Sequence, residues 1–220
     1  MPRAVAEVGH NRARAAALLV AALPGSLYIY QGDELGLPEV EDLPLELIED
    51  PMHYRSGGID PGRDGCRVPL PWSGDHAPFG FSPEGVHPWL PQPEGWSALT
   101  VEAQRDDPAS TLNLYREALR LRRELPELGD GPLEWWDDAM SGANHVLAFR
   151  RGPGFACVVN TGETSVRLPA DATILLSSAP LDDTGALQGD ATAWLRIDDE
   201  AATDAATNTI PTTEGPAPRG

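Results

Sequence analysis

One short strand pattern stands alone in the first half of this chain and limits what it can build. Ser26-Leu-Tyr-Ile-Tyr30 is aromatic and β-branched, with turn residues on both sides, which reads as a buried strand. A helix pattern precedes it, and the next strand pattern begins only at Val146. A strand flanked by helices, with a long loop at its C-terminal end, is one unit of a parallel βα architecture. One strand does not make a sheet. The partners are therefore expected on another chain, or upstream in a longer protein.

The preceding helix is expected over Arg12 to Leu23, capped by Asn11 and stopped by Pro24-Gly25. Its apolar run Ala15 to Leu23, behind Arg3, Arg12 and Arg14, imitates a secretory leader. Glu7 in the basic region, and a strand that needs a helix before it, favour the helix reading. From 37 to 108 periodicity is poor, and Pro, Gly, Trp and His are dense. A loop this long inside a compact unit is usually functional. A strong helix follows, starting at Asp107-Pro108 or Ser110. Its expected apolar stripe is Leu112, Tyr115, Ala118, Leu119 and Leu125, with Arg120, Arg122 and Arg123 toward the end where the helix dipole favours them. Pro126 and Gly129 close it.

Beyond Gly131 the period becomes two. Val146–Arg150, Phe155–Val159, Ser165–Leu168, Thr173–Leu176 and Trp194–Ile197 are short runs between turn pairs, the pattern of a small antiparallel sandwich. From Asp198 the Ala/Thr/Pro/Gly mixture cannot bury much surface and is expected to be a disordered tail. The domain reading is thus 1–130, an α/β unit with the long loop 37–108; 131–198, antiparallel β; and 199–220, tail.

Charge narrows the partners. With 16 basic against 34 acidic residues, net -18, neither nucleic acid nor an anionic membrane is expected, since both need basic patches. No run reaches the length of a membrane span. Cys66 and Cys157 are far apart, lack metal-ligand spacing and do not make a disulfide scaffold, so a reducing, cytoplasmic setting is expected. His53, His76 and His87 have no ligand spacing, and no metal or cofactor is expected.

Several motifs in the right order carry a resemblance. Leu23-Pro-Gly-Ser-Leu-Tyr-Ile-Tyr-Gln-Gly-Asp-Glu-Leu-Gly36 is similar to the last barrel strand of glycoside hydrolase family 13, in its α-glucosidase and oligo-1,6-glucosidase branch. Arg63-Asp-Gly-Cys-Arg-Val-Pro-Leu-Pro-Trp72 resembles that branch's loop after the strand. Pro88-Trp-Leu-Pro91 and Ser110 to Arg123 complete the match, which weakens after Gly131. The resemblance implies an α/β barrel remnant, the last strand and flanking helices of a TIM barrel, followed by a small antiparallel all-β domain. It implies cleavage of α-glucosidic bonds in short oligosaccharides or disaccharides, or glucosyl transfer, with retention. Retention needs two carboxyl groups about 5 Å apart around an oxocarbenium-like transition state. In the family those groups, and a third carboxylate, come from barrel strands four, five and seven, so no catalytic residue is assigned here and the chain alone is expected to be inactive.

What carries over is a set of supporting positions. Arg63 resembles the arginine that reaches the terminal glucose, since a guanidinium can donate paired hydrogen bonds to vicinal hydroxyls; the bland alternative is an Arg63–Asp64 loop clamp. Arg67 is placed near the leaving group or in a structural role. Glu34 and Asp64 are expected to organise the loops around them. Among Trp72, Phe79, Phe81, Trp89 and Trp96, packing is the expected job for any one ring over sugar stacking. Three readings stay open: an incomplete α-glucosidase, from a truncated gene or a misplaced start; a sugar- or partner-binding module; and half of a split glucosidase or glucosyl transferase. Small α-glucosides are the expected ligands, and the missing N-terminal barrel portion is the candidate partner.

Overall fold

The computed structural model describes residues 9–136 and 145–197. The tail expected at 199–220 lies outside the described residues. Helix α1 spans His10–Ala22. It starts one residue before the expected cap: Gly9, at φ 80, is the N-cap, and no side chain caps the helix. The short helices α2 (Pro51–Arg55) and α3 (Val101–Arg105) interrupt the segment that read as irregular, and α4 runs Thr111–Glu124. Strands β1 (Leu133–Trp135), β2 (Val146–Arg151), β3 (Phe155–Asn160), β4 (Thr173–Ser177) and β5 (Ala191–Arg196) follow.

The five strands form one antiparallel sheet in the order β1-β2-β3-β5-β4. The run expected at Ser165–Leu168 contributes only a single bridge, Val166 to Leu187. Among the described residues there is one sheet and not a two-sheet sandwich, with helices in place of a second sheet on one face. One face of the sheet, through Phe149, Phe155, Cys157, Val159 and Trp194, packs on Leu18, Ala21 and Ala22 of α1 and on Leu114, Ala118 and Leu121 of α4. The other face, through Ala148, Ala156, Val158, Ala193 and Leu195, is covered by Leu187 and flanking loop residues such as Leu168 and Leu181. Both faces of β3 are therefore dry, and all six of its residues are buried. Burial raises the Cys157 thiol far above its ordinary pKa, which leaves it an inert apolar filler.

Side chains of the sheet also grip the backbone of α1. Thr192 Oγ1 donates to Ala15 O at 2.9 Å, Trp194 Nε1 to Leu18 O at 3.1 Å, and Arg151 Nη1 to Ala22 O at 2.8 Å. Arg151 is fully buried without a carboxylate among its bonded partners, and also reaches Gly129 O and Gly131 O. From α4, Arg122 binds Ala21 O, Leu23 O and Gly25 O. The two arginines satisfy carbonyls at and just beyond the C-terminal end of α1, where intrahelical partners run out. The helix that imitates a leader is thus built into the core of the sheet.

The buried face of α4 is Thr111, Leu114, Ala118 and Leu121. Of the expected stripe, Ala118 and Leu125 pack on this core, whereas Leu112 turns instead toward the loop core. Ser110 is the N-cap, accepting from Asn113 N at 3.2 Å.

Ser26–Tyr30 is not the buried strand expected of it: among the described residues it has no regular secondary structure and joins no ladder. Tyr28 is 90% exposed, and Ile29 and Tyr30 are also exposed. Together with Ala17 and Val20 of α1 and Leu119 of α4, this segment borders an apolar groove of about 160 Å³. Nothing else in the described residues supplies neighbouring strands.

Candidate functional site

The long segment after the extended run folds around its own small core: Leu35, Leu37, Val40, Val68, Phe79, Leu90 and Trp96. Phe79 and Trp96 are buried there, so packing accounts for them, while Trp72, Phe81 and Trp89 remain about half exposed. This core gives the Arg63–Arg67 loop a rigid base. Gly65 lies against the Val40 backbone, where a Cβ would meet Val40 O at 2.3 Å. Only glycine fits that approach, and it lets Val40 N donate to Gly65 O at 3.2 Å.

Two buried carboxylates hold the loop. Asp64 is 1% exposed; its Oδ2 accepts from Glu49 N at 2.7 Å and Asp50 N at 2.8 Å, and its Oδ1 accepts from Arg67 Nη1 at 3.0 Å. Asp50 is 0% exposed; its Oδ1 accepts from Met52 N at 2.9 Å and its Oδ2 from Arg63 N at 3.1 Å and Arg63 Nε at 3.0 Å. Arg67 Nη1 lies 3.4 Å from the same Oδ2. Each aspartate thus grips the segment that carries the other. The Met52 amide first, and Arg63 with it, hold the Asp50 carboxyl below the usual aspartate range, so it stays ionised.

Arg63 therefore pairs with Asp50, whereas Arg67 pairs with Asp64; the Arg63–Asp64 clamp does not form. Arg63 is about half exposed and Arg67 about one-third exposed. Among the described residues, Nη1 and Nη2 of Arg63 have no hydrogen-bond partner. They border a cavity of about 570 Å³ that Glu39, Glu41, Asp60 and Met52 also line. Chemically this is a fixed cation with free donors beside acceptors and an apolar wall, an arrangement suited to a neutral polyol.

The loop is tied back to the extended segment. Tyr30 Oη lies 3.3 Å from Cys66 Sγ, and Cys66 Sγ donates to Arg63 O at 3.0 Å. Glu34 stays within its own turn, where Oε2 accepts from Gly32 N at 2.8 Å. Burial first, then the charges of Asp33 and Glu34, raises the Tyr115 hydroxyl well above its ordinary pKa. His53 bonds Asp60 O, and His76 pairs with exposed Asp75. Among the described residues, no group of three or more His, Cys, Asp or Glu could hold a metal ion, and no helix is long and apolar enough to cross a membrane.

The sequence reading missed Asp50. Its signal is local: Asp followed by Pro is a strong helix start, and α2 does begin there. What could not be read was that the cap's second oxygen would meet an arginine 13 positions on.

Asp50 and Asp64 converge on one nitrogen of Arg67. Both are sealed from solvent and committed to amides and arginines.

Residues 1–131 match the α-amylase family model for the catalytic domain, and the chain belongs to that family. It is 37% identical over 142 residues to the probable α-glucosidase of Rhizobium meliloti, covering 64% of this chain and 24% of that protein. It is 30% identical over 146 residues to the oligo-1,6-glucosidase of Parageobacillus thermoglucosidasius, covering 56% and 25%. In structure it resembles the α-glucosyl transfer enzyme XgtA, with TM-score 0.69 and 31% identity over 87% of this chain and 36% of that one. The trehalose-6-phosphate hydrolase of Bacillus licheniformis shares the fold, with TM-score 0.70 and 22% identity, over 90% and 41%. The chain thus spans about a quarter of the length of the glucosidases it matches.

Proposed function

We propose that this chain forms part of the sugar-holding wall of a retaining α-glucosidase acting on α-glucosidic bonds of short oligosaccharides or disaccharides. Arg63 and Arg67 contact the glucoside. Asp64 holds Arg67 and the adjoining backbone, and Glu34 holds the turn after Tyr30. The nucleophile and the acid/base belong to barrel segments outside this chain, so the chain alone turns over nothing. The supporting observation is the half-exposed Arg63 guanidinium, anchored at Nε with both terminal nitrogens free, in a chain of the α-amylase family. A cytoplasmic setting belongs to the same reading, since buried Cys66 and Cys157 form no disulfide among the described residues. Calorimetric titration with maltose tests the wall: saturable binding, lost in Arg63→Ala, is expected. A flat titration at millimolar sugar removes sugar contact by the isolated chain.

A second reading, half of a split glucosidase or glucosyl transferase, draws support from the exposed side chains of Tyr28 and Ile29 and the apolar groove beside them. Barrel strands are covered on both faces, and an uncovered one invites pairing with another chain. Co-expression with a preceding barrel portion should then give a soluble complex that cleaves α-glucosides. Persistent insolubility of the two together would count against it.

A further inference from the structure

We propose that Asp50 is a positioning residue, which fixes the plane of the Arg63 guanidinium so that its terminal nitrogens face the sugar; this rests on the sugar-contact reading given above. Asp50 itself is sealed and cannot touch a ligand. Its Oδ2 takes Arg63 at Nε alone, at 3.0 Å, and takes the Arg63 backbone amide at 3.1 Å. Both ends of the arginine are thereby held, while only one of the five guanidinium N–H groups is consumed. Four N–H bonds remain for hydroxyls. An arginine paired through its terminal fork would have its best donors occupied; this one is anchored from behind.

The loop is shaped to permit that contact. Gly62 has φ +76, and a Cβ there would lie 2.6 Å from Asp50 Cβ. A side chain at 62 would push the loop off the carboxylate. Asp50 in turn is held by Met52 N through Oδ1 and by its own amide, which donates to Asp64 Oδ2. Arg67 Nη1, at 3.4 Å, adds a second positive charge beside Oδ2. Capping of α2 needs only an acceptor at Oδ1, so it does not explain why a buried, ionised group faces Arg63. Asp50→Asn separates the two roles, because an amide oxygen can still cap while its NH2 cannot accept from Nε.

The test uses the full chain with 15N-labelled arginine, the Arg63 Nε–H resonance being identified by its loss in Arg63→Lys. Exchange of that proton should be at least roughly tenfold slower than at Arg116, whose Nε is unbonded and exposed. Maltose should shift the Arg63 resonance. Asp50→Asn should remove the protection and weaken the maltose response about tenfold, with the Met52 amide signal little changed. Arg63 exchanging as fast as Arg116 in the native chain overturns the proposal. So does protection and maltose response that survive Asp50→Asn, a result that leaves sugar contact intact. Protection without any maltose response instead sinks the sugar contact, and with it the aim assigned to Asp50.

Discussion

Replacing Trp194 tests whether α1, α4 and the sheet are one cooperative body. The indole is fully buried, packs edge-on against Phe155 with centroids 5.5 Å apart, and donates to Leu18 O of α1. A buried tryptophan removes about 200 Å² from water; at about 25 cal/mol per Å² that is ~5 kcal/mol, an upper figure because denatured chains already hide some surface. Trp194→Ala is therefore expected to cost ~3–5 kcal/mol. For a body of this size that lowers the thermal midpoint by about 6–20 °C. Trp194→Phe keeps most of the ring contact but loses the N–H donor, and should cost only ~1–2 kcal/mol. The assay is thermal unfolding by far-UV circular dichroism, paired with hydrogen exchange of the α1 amides. Helix and sheet should lose stability together. If Trp194→Ala unfolds the sheet while α1 keeps its protection, the shared core is refuted.

Other consequences are as direct. Gly65→Ala must displace the Val40 backbone and should cost ~1–3 kcal/mol in denaturant unfolding, whereas Gly95→Ala, with nothing within 4 Å, should be near neutral; equal effects would contradict the packing. The Leu27, Tyr28 and Ile29 amides donate to no backbone carbonyl among the described residues, so they should exchange far faster than the core of α1; uniform protection through residue 30 would contradict that. Asp50 and Asp182 are held below the ordinary aspartate pKa, Asp50 chiefly by the Met52 amide and Asp182 chiefly by the Thr184 hydroxyl. Their stabilisation is full above the unfolded pKa of about 3.9 and is lost as pH falls through the depressed folded values. Unfolding midpoints should thus drop as pH falls below about 4, and less steeply in Asp50→Asn.

Much of this was legible wherever one residue type has one strong use. Pro24-Gly25 ends α1, Ser110 caps α4, and the turn pair Gly152-Pro153 sits between β2 and β3. Run lengths gave four of the five strands to within a few residues. The second layer was not legible. An alternating pattern shows that a face is buried but not what covers it, so the small residues of α1 gave no hint that Thr192, Trp194 and Arg151 would bind its carbonyls. At the site, the arginines were visible in their motif, but their partner Asp50 was not, because a side chain bonding across a loop leaves no period. The strand pattern at Ser26–Tyr30 did not become a buried strand, because the described residues supply no neighbour for it to pair with.

The most direct measurement is hydrolysis of p-nitrophenyl α-glucoside. The purified chain should release no nitrophenol above buffer, and the same chain produced together with a preceding barrel portion should. Turnover by the chain alone would mean that acids within it, unlike the sealed pair Asp50 and Asp64, converge on the glucoside, and would contradict the account.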